Sequence, residues 1–112
     1  MSPLGLMTCA VEGNSMVPTF VTGDWIIAQR INHAKMLPKK WQRLEDQIVI
    51  AQVESVLQIK RVSKVELDAE GNAQLWLLGD NPDQSTDSRN YGWVAGEKIM
   101  AHYLLRYKRG RQ

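Results

Sequence analysis

A serine on a sharp turn and a lysine inside an apolar strand can together break a peptide bond without a histidine. The hydroxyl needs a base to take its proton, and an amine serves once it is neutral. Burial brings a lysine to that state, because low-dielectric surroundings disfavour the ammonium form. Ser15 and Lys60 have this character. Ser15 follows Gly13-Asn14 and precedes Met16-Val17-Pro18-Thr19, and Lys60 lies in Leu57-Gln58-Ile59-Lys60-Arg61-Val62. Most strand lysines face solvent. Strand alternation puts Lys60 on the face of Gln58 and Val62, one polar and one apolar. Spacing alone leaves the solvent-facing and the buried lysine both open.

Other chemistries find less support. His33 and His102 lie far apart, without the paired spacing of ligand sites, and read as surface or partly buried histidines. Asp80, Asp83 and Asp87 lack the closing glutamate of a calcium loop. The eight glycines form neither a G-x-G-x-x-G string nor a P-loop. A single cysteine, Cys9, excludes a disulfide framework and a thiolate zinc site. No metal and no cofactor is expected.

The elements that must position Ser15 and Lys60 read as mostly β in one domain of 112 residues. Leu4 to Val11 is a weak strand candidate, Gly13-Asn14 and Gly23-Asp24 are turns, and Trp25 to Ala28 is a buried strand. Residues 31–46 read as a polar surface loop with at most one helical turn. Gln47 to Val53 and Val56 to Leu67 are strands, residues 68–72 a hairpin turn, and Gln74 to Leu78 the returning strand. Ile99 to Tyr107 closes the chain. Short strands at close spacing predict a small antiparallel sheet or barrel-like core with little helix. The stretch from Gly79 to Trp93 is the anomaly. A structureless loop of that length in so small a domain is functional or mobile.

Fourteen basic residues against twelve acidic give a net charge of +2. Arg106, Lys108, Arg109 and Arg111 stand in the last seven positions and read as a solvated basic tail over 106–112. The rest carries ten basic against twelve acidic residues, so no basic face for nucleic acid is expected. No apolar run approaches the roughly 20 residues of a spanning helix, and no basic, apolar export signal opens the chain. The expectation is a soluble, cytoplasmic protein.

Four strings resemble the type I signal peptidases, in that family's order and across most of residues 10–105. They are Gly13-Asn14-Ser15-Met16-Val17-Pro18-Thr19, Gly23-Asp24-Trp25-Ile26-Ile27-Ala28, Ile59-Lys60-Arg61-Val62, and Gly79 through Arg89 followed by Gly92 and Val94. The resemblance implies that Ser15 is the nucleophile and Lys60 its general base. It implies that Ser85 orients the lysine amine and that Asp87 and Arg89 form an ion pair bracing the site wall. The Ser15 amide would donate to the oxyanion, with Gly13 at the position of a possible second donor, and Met16 would pack beside the site. The long loop would be one wall of the cleft.

Departures from the family pattern are visible: fourteen residues precede Ser15, the link from Arg61 to Leu78 is short, and Asp46-Gln47 replaces the usual Gly-Asp at the start of the strand before the lysine. Ala101 also stands where the closing strand usually has glycine. These features resemble a reduced branch, the nickel-type superoxide dismutase maturation proteases. That branch implies an immature dismutase as partner, bound as an extended peptide and relieved of an amino-terminal leader. The alternatives are preprotein processing, a self-cleaving repressor of the SOS response, and a silent binding domain. The repressors cut at an Ala-Gly upstream of the serine, whereas the only Ala-Gly here is Ala95-Gly96. The joint presence of Ser15, Lys60 and Ser85 argues against a silent domain.

Overall fold

The computed structural model describes residues 5–110, so Leu4 and Arg111 of the expected first strand and basic tail lie outside the described residues. It is mostly β, as the sequence predicts. The strands are β1 (Leu6–Ala10), β2 (Trp25–Arg30), β3 (Ile48–Val53), β4 (Val56–Leu67), β5 (Ala73–Leu78), β6 (Val94–Ala95) and β7 (Ile99–Lys108). All pair antiparallel in one sheet of order β1-β2-β7-β3-β4-β5-β6. Two short helices, α1 (Pro38–Gln42) and α2 (Ser88–Tyr91), sit in the connections. Among the described residues no helix is long and apolar enough to cross a membrane.

The central strand explains its own sequence. Ile48-Val49-Ile50-Ala51 is an unbroken apolar run because both faces of β3 are covered. Val49 and Ala51 pack into one cluster with Val62, Leu75, Leu77 and Ile99. Ile48 and Ile50 pack into the other with Met16, Phe20, Ile26, Ala28 and Ala101. A bulge at Met100 sends Ile99 and Ala101, two residues apart, to opposite faces: Ile50 pairs with Ala101 and Ala51 with Ile99.

Three sequence expectations are corrected. Residues 31–46 are more than a surface loop: α1 delivers Trp41 to the core and Leu44 follows it. Neither the 79–93 stretch nor the start of the expected tail at Arg106 is structureless among the described residues. The former holds a 3-10 turn at Pro82–Gln84 and then α2. In the latter β7 runs on to Lys108, and Arg106 is no tail residue. Arg106 bonds the buried carboxylate of Asp24 at 3.2 Å, and the Gly110 N–H donates to the same group at 2.6 Å. Burial pushes the Asp24 carboxyl up, but the donors from Gly110, Val21 and Arg106 outweigh it and hold it low. Asp24 thereby ties Arg106 and Gly110 to the base of the loop that carries Ser15.

Candidate active site

Ser15 sits on a turn entered through Gly13, whose φ of +80° favours glycine. The turn is closed at its base by Val11 N–H to Asp24 O and Gly23 N–H to Val11 O, at 2.8 and 2.9 Å. Met16 and Phe20 anchor it in the core. Lys60 comes from the middle of β4, opposite Val49. Only 4% of it is exposed, so the alternation left open by the sequence resolves to the buried side. Lys60 Nζ lies 3.0 Å from Ser15 Oγ, inside the reach of roughly 2.6–3.2 Å that proton transfer needs. Burial pulls the amine below the ordinary lysine range, and the charge of Asp87 opposes that in part. A neutral amine at this distance can accept the hydroxyl proton.

The wall beside the dyad is built around Asp87, which is fully buried. Its carboxylate accepts from Gly79 N–H at 2.9 Å, from Ser85 Oγ at 2.7 Å, and from Arg89 Nε and Nη2 at 3.0 and 2.7 Å. It also caps α2, accepting from the Arg89 N–H while the Asn90 side chain accepts from its own N–H. Burial alone raises the Asp87 carboxyl, but these donors win and hold it well below the usual carboxylate range. The expected Asp87–Arg89 pair is therefore present. Of the expected contact of Ser85 with the lysine amine no hydrogen bond is seen among the described residues: Ser85 donates to Asp87, and the hydrogen bond of Lys60 goes to Ser15.

Gly79 explains how the wall comes so near the nucleophile. A Cβ there would lie 2.7 Å from the Ser15 carbonyl oxygen and closer still to the Ser85 hydroxyl. The next two residues act on the nucleophile turn directly. Asp80 accepts from Arg61 Nε and Nη2, both at 2.9 Å, and from the Thr19 hydroxyl, while its own N–H meets Met16 Sδ at 3.4 Å. The Arg61 guanidinium holds the Asp80 carboxyl below its ordinary value. Arg61 also donates to the Asp46 carbonyl at 2.8 Å. Asp46 holds a φ of +68°, and its N–H closes the turn on Val62 O at 2.7 Å.

Asn81 clasps two carbonyls. Its N–H donates to Ser15 O at 2.8 Å and its Nδ2 to Asn14 O at 3.0 Å. The Asn14 carbonyl and the Ser15 N–H belong to one planar, trans peptide. Holding the oxygen end therefore aims the N–H end, the donor available to an oxyanion. Sequence reasoning missed Asn81, Arg61 and Thr19 as site residues. Their signal was weak, because each acts on a backbone or a carboxylate that only the fold brings near.

A groove of about 380 Å³ opens on the dyad. One side is Cys9, Ala10 and Val11 at the end of β1; the other is the first half of β4, from Val56 to Lys60. β1 pairs only with β2, and β4 meets β5 only from Arg61 onward. Each side thus has an edge without a strand partner among the described residues. Among those residues no group of three metal-ligating side chains forms. No family model and no curated protein matches the chain.

Proposed function

We propose that this protein is a serine endopeptidase of the Ser–Lys class. The observation that carries the proposal is the buried Lys60 amine 3.0 Å from Ser15 Oγ, at the head of an open groove. Ser15 Oγ attacks the scissile carbonyl carbon and gives its proton to neutral Lys60 Nζ. The resulting oxyanion takes a hydrogen bond from the Ser15 N–H, whose peptide plane Asn81 holds in advance. Lys60 then returns the proton to the leaving amine as the C–N bond breaks. Water, activated by the same amine, releases the acyl group from Ser15. The two unpaired edges suit an extended peptide, with main-chain hydrogen bonds for affinity and small side-chain pockets for choice.

The four strings resembling type I signal peptidases support the same class. Within it, the short link between lysine and last box favours leader removal from an immature nickel-type superoxide dismutase. The test mixes purified protein with that precursor and reads the new amino terminus by mass spectrometry. Cleavage is expected with the parent and not with Ser15→Ala. An intact precursor beside a Ser15-dependent cut in a secretory preprotein would overturn the substrate and leave the dyad. No Ser15-dependent cut in either would overturn the peptidase.

A further inference from the structure

A second cavity, about 460 Å³, shares no lining residue with the groove at Ser15 and Lys60. It is cationic. Residues 30–43 carry Arg30, Lys35, Lys39, Lys40 and Arg43 and not one acid. The chain folds this segment into a cup over the start of β7. Ile31 N–H donates to Met100 O at 3.0 Å, the His33 ring bonds the Ile99 carbonyl at 2.8 Å, and α1 then turns back with Trp41 in the core. Arg30, Lys35, Lys40 and Arg43 line the resulting cavity, with Ile31, Met36 and Leu44 as its apolar part. Among the described residues none of the four cations makes an ion pair, and no acid lines the cavity. The near-even charge balance of the chain conceals this local excess.

We propose that this cup binds a phosphorylated small molecule of nucleotide size. Four unneutralised cations around one cavity repel each other, and a cleft of one sign concentrates counter-ions. Two of them are arginines, whose planar forks match phosphate oxygens in pairs, while the lysines supply point charges. Phosphate alone would leave the apolar part unused. Ile31, Met36 and Leu44 accept a ring, and the amides of Asn32 and Gln47, which also line the cavity, reach polar atoms on its edge. The volume falls within the roughly 300–1,000 Å³ of small-molecule sites. This differs from phosphate sites built on glycine loops, because here side chains, not backbone N–H groups, hold the anion.

The test is calorimetric titration of the full chain with ADP, with inorganic pyrophosphate, with an acidic peptide and with a single-stranded oligonucleotide, at about 0.15 M salt so that exposed charges are screened. ADP is expected to bind, and more tightly than pyrophosphate, because only ADP fills the apolar part. Arg30→Ala and Arg43→Ala are each expected to weaken ADP at least about tenfold, the loss of one charge-assisted contact. Lys64→Ala, on an exposed pair with Glu66 outside the cup, is the control and is expected to change nothing. Both arginines are exposed, and their melting temperatures report whether the variants remain folded. No binding of ADP or pyrophosphate, equal loss in Lys64→Ala, or binding of the peptide or oligonucleotide alone would each overturn the proposal. Peptidase activity is not the readout, so this result and that of the Ser15 assay are independent.

Discussion

Replacing Asp87 separates its two effects, one on the wall and one on the lysine. Asp87→Ala removes the acceptor for the Gly79 N–H and the Ser85 hydroxyl, the first of them a fully buried bond. A buried donor left without a partner costs about 1–3 kcal/mol. Two such donors give a loss of about 3 kcal/mol when the lower half of that range is used, since Ser85 is only half-buried. Arg89, 44% exposed, regains water and is left out of the figure. For a domain near this size, 1 kcal/mol moves the midpoint by about 4 °C, so a fall of roughly 12 °C is expected by calorimetry at pH 7. The pH dependence has a definite sign. The folded carboxyl lies below its unfolded value, so its contribution is present above the ordinary carboxylate range and is lost as pH falls toward the folded value. The gap between parent and variant should therefore narrow in acid. The second effect is read with Asp87→Asn, which keeps the shape. The Asp87 charge holds the Lys60 amine up, so its removal should move the rising limb of kcat/KM to lower pH. A melting point within about 3 °C of the parent would refute the bonding argument. An unmoved or raised limb would refute the electrostatic one.

Four further outcomes are expected. Lys60→Arg and Lys60→Met should each abolish cleavage in a folded protein, since arginine keeps its proton at any working pH and methionine has no basic nitrogen; measurable turnover by either would remove Lys60 as base. Parent activity should rise with pH through a midpoint below the ordinary lysine range, as burial dictates, and a flat profile would contradict this. Asn81→Ala should lower kcat by roughly 10- to 100-fold at little change in KM, as expected for a residue that acts on the oxyanion donor and not on substrate; a rise in KM with kcat unchanged would place its role in binding. Gly79→Ala should depress activity more than Gly13→Ala, because a Cβ at Gly79 collides with Ser85 and the Ser15 carbonyl whereas one at Gly13 meets open space and carries only the strain of its positive φ; parallel assays with melting curves decide it.

The pairing of Asp87 with Arg89 was expected only from the family resemblance, whereas the polarity pattern of the strands and the turns at Gly13-Asn14 and at residues 68–72 were legible in the sequence, because each depends on residues close together in the chain. So were Ser15 and Lys60 as a candidate pair, through their surroundings of turn and apolar strand. Whether Lys60 is buried was not, since alternation sets it with one polar and one apolar neighbour and only the closed fold covers it beside Ser15. Long-range partners were equally hidden. Arg106 reads as part of a basic tail until β7 carries it to Asp24, 82 residues away. Asn81 is an ordinary loop residue until the fold sets it against the peptide of Ser15, 67 residues from Asn14. The cationic cup is a polar segment by composition and becomes a cavity only because Trp41 and Leu44 are pulled into the core. Local preference is written in neighbouring residues, whereas desolvation and the aim of a hydrogen bond depend on atoms that only the closed chain brings within a few ångströms.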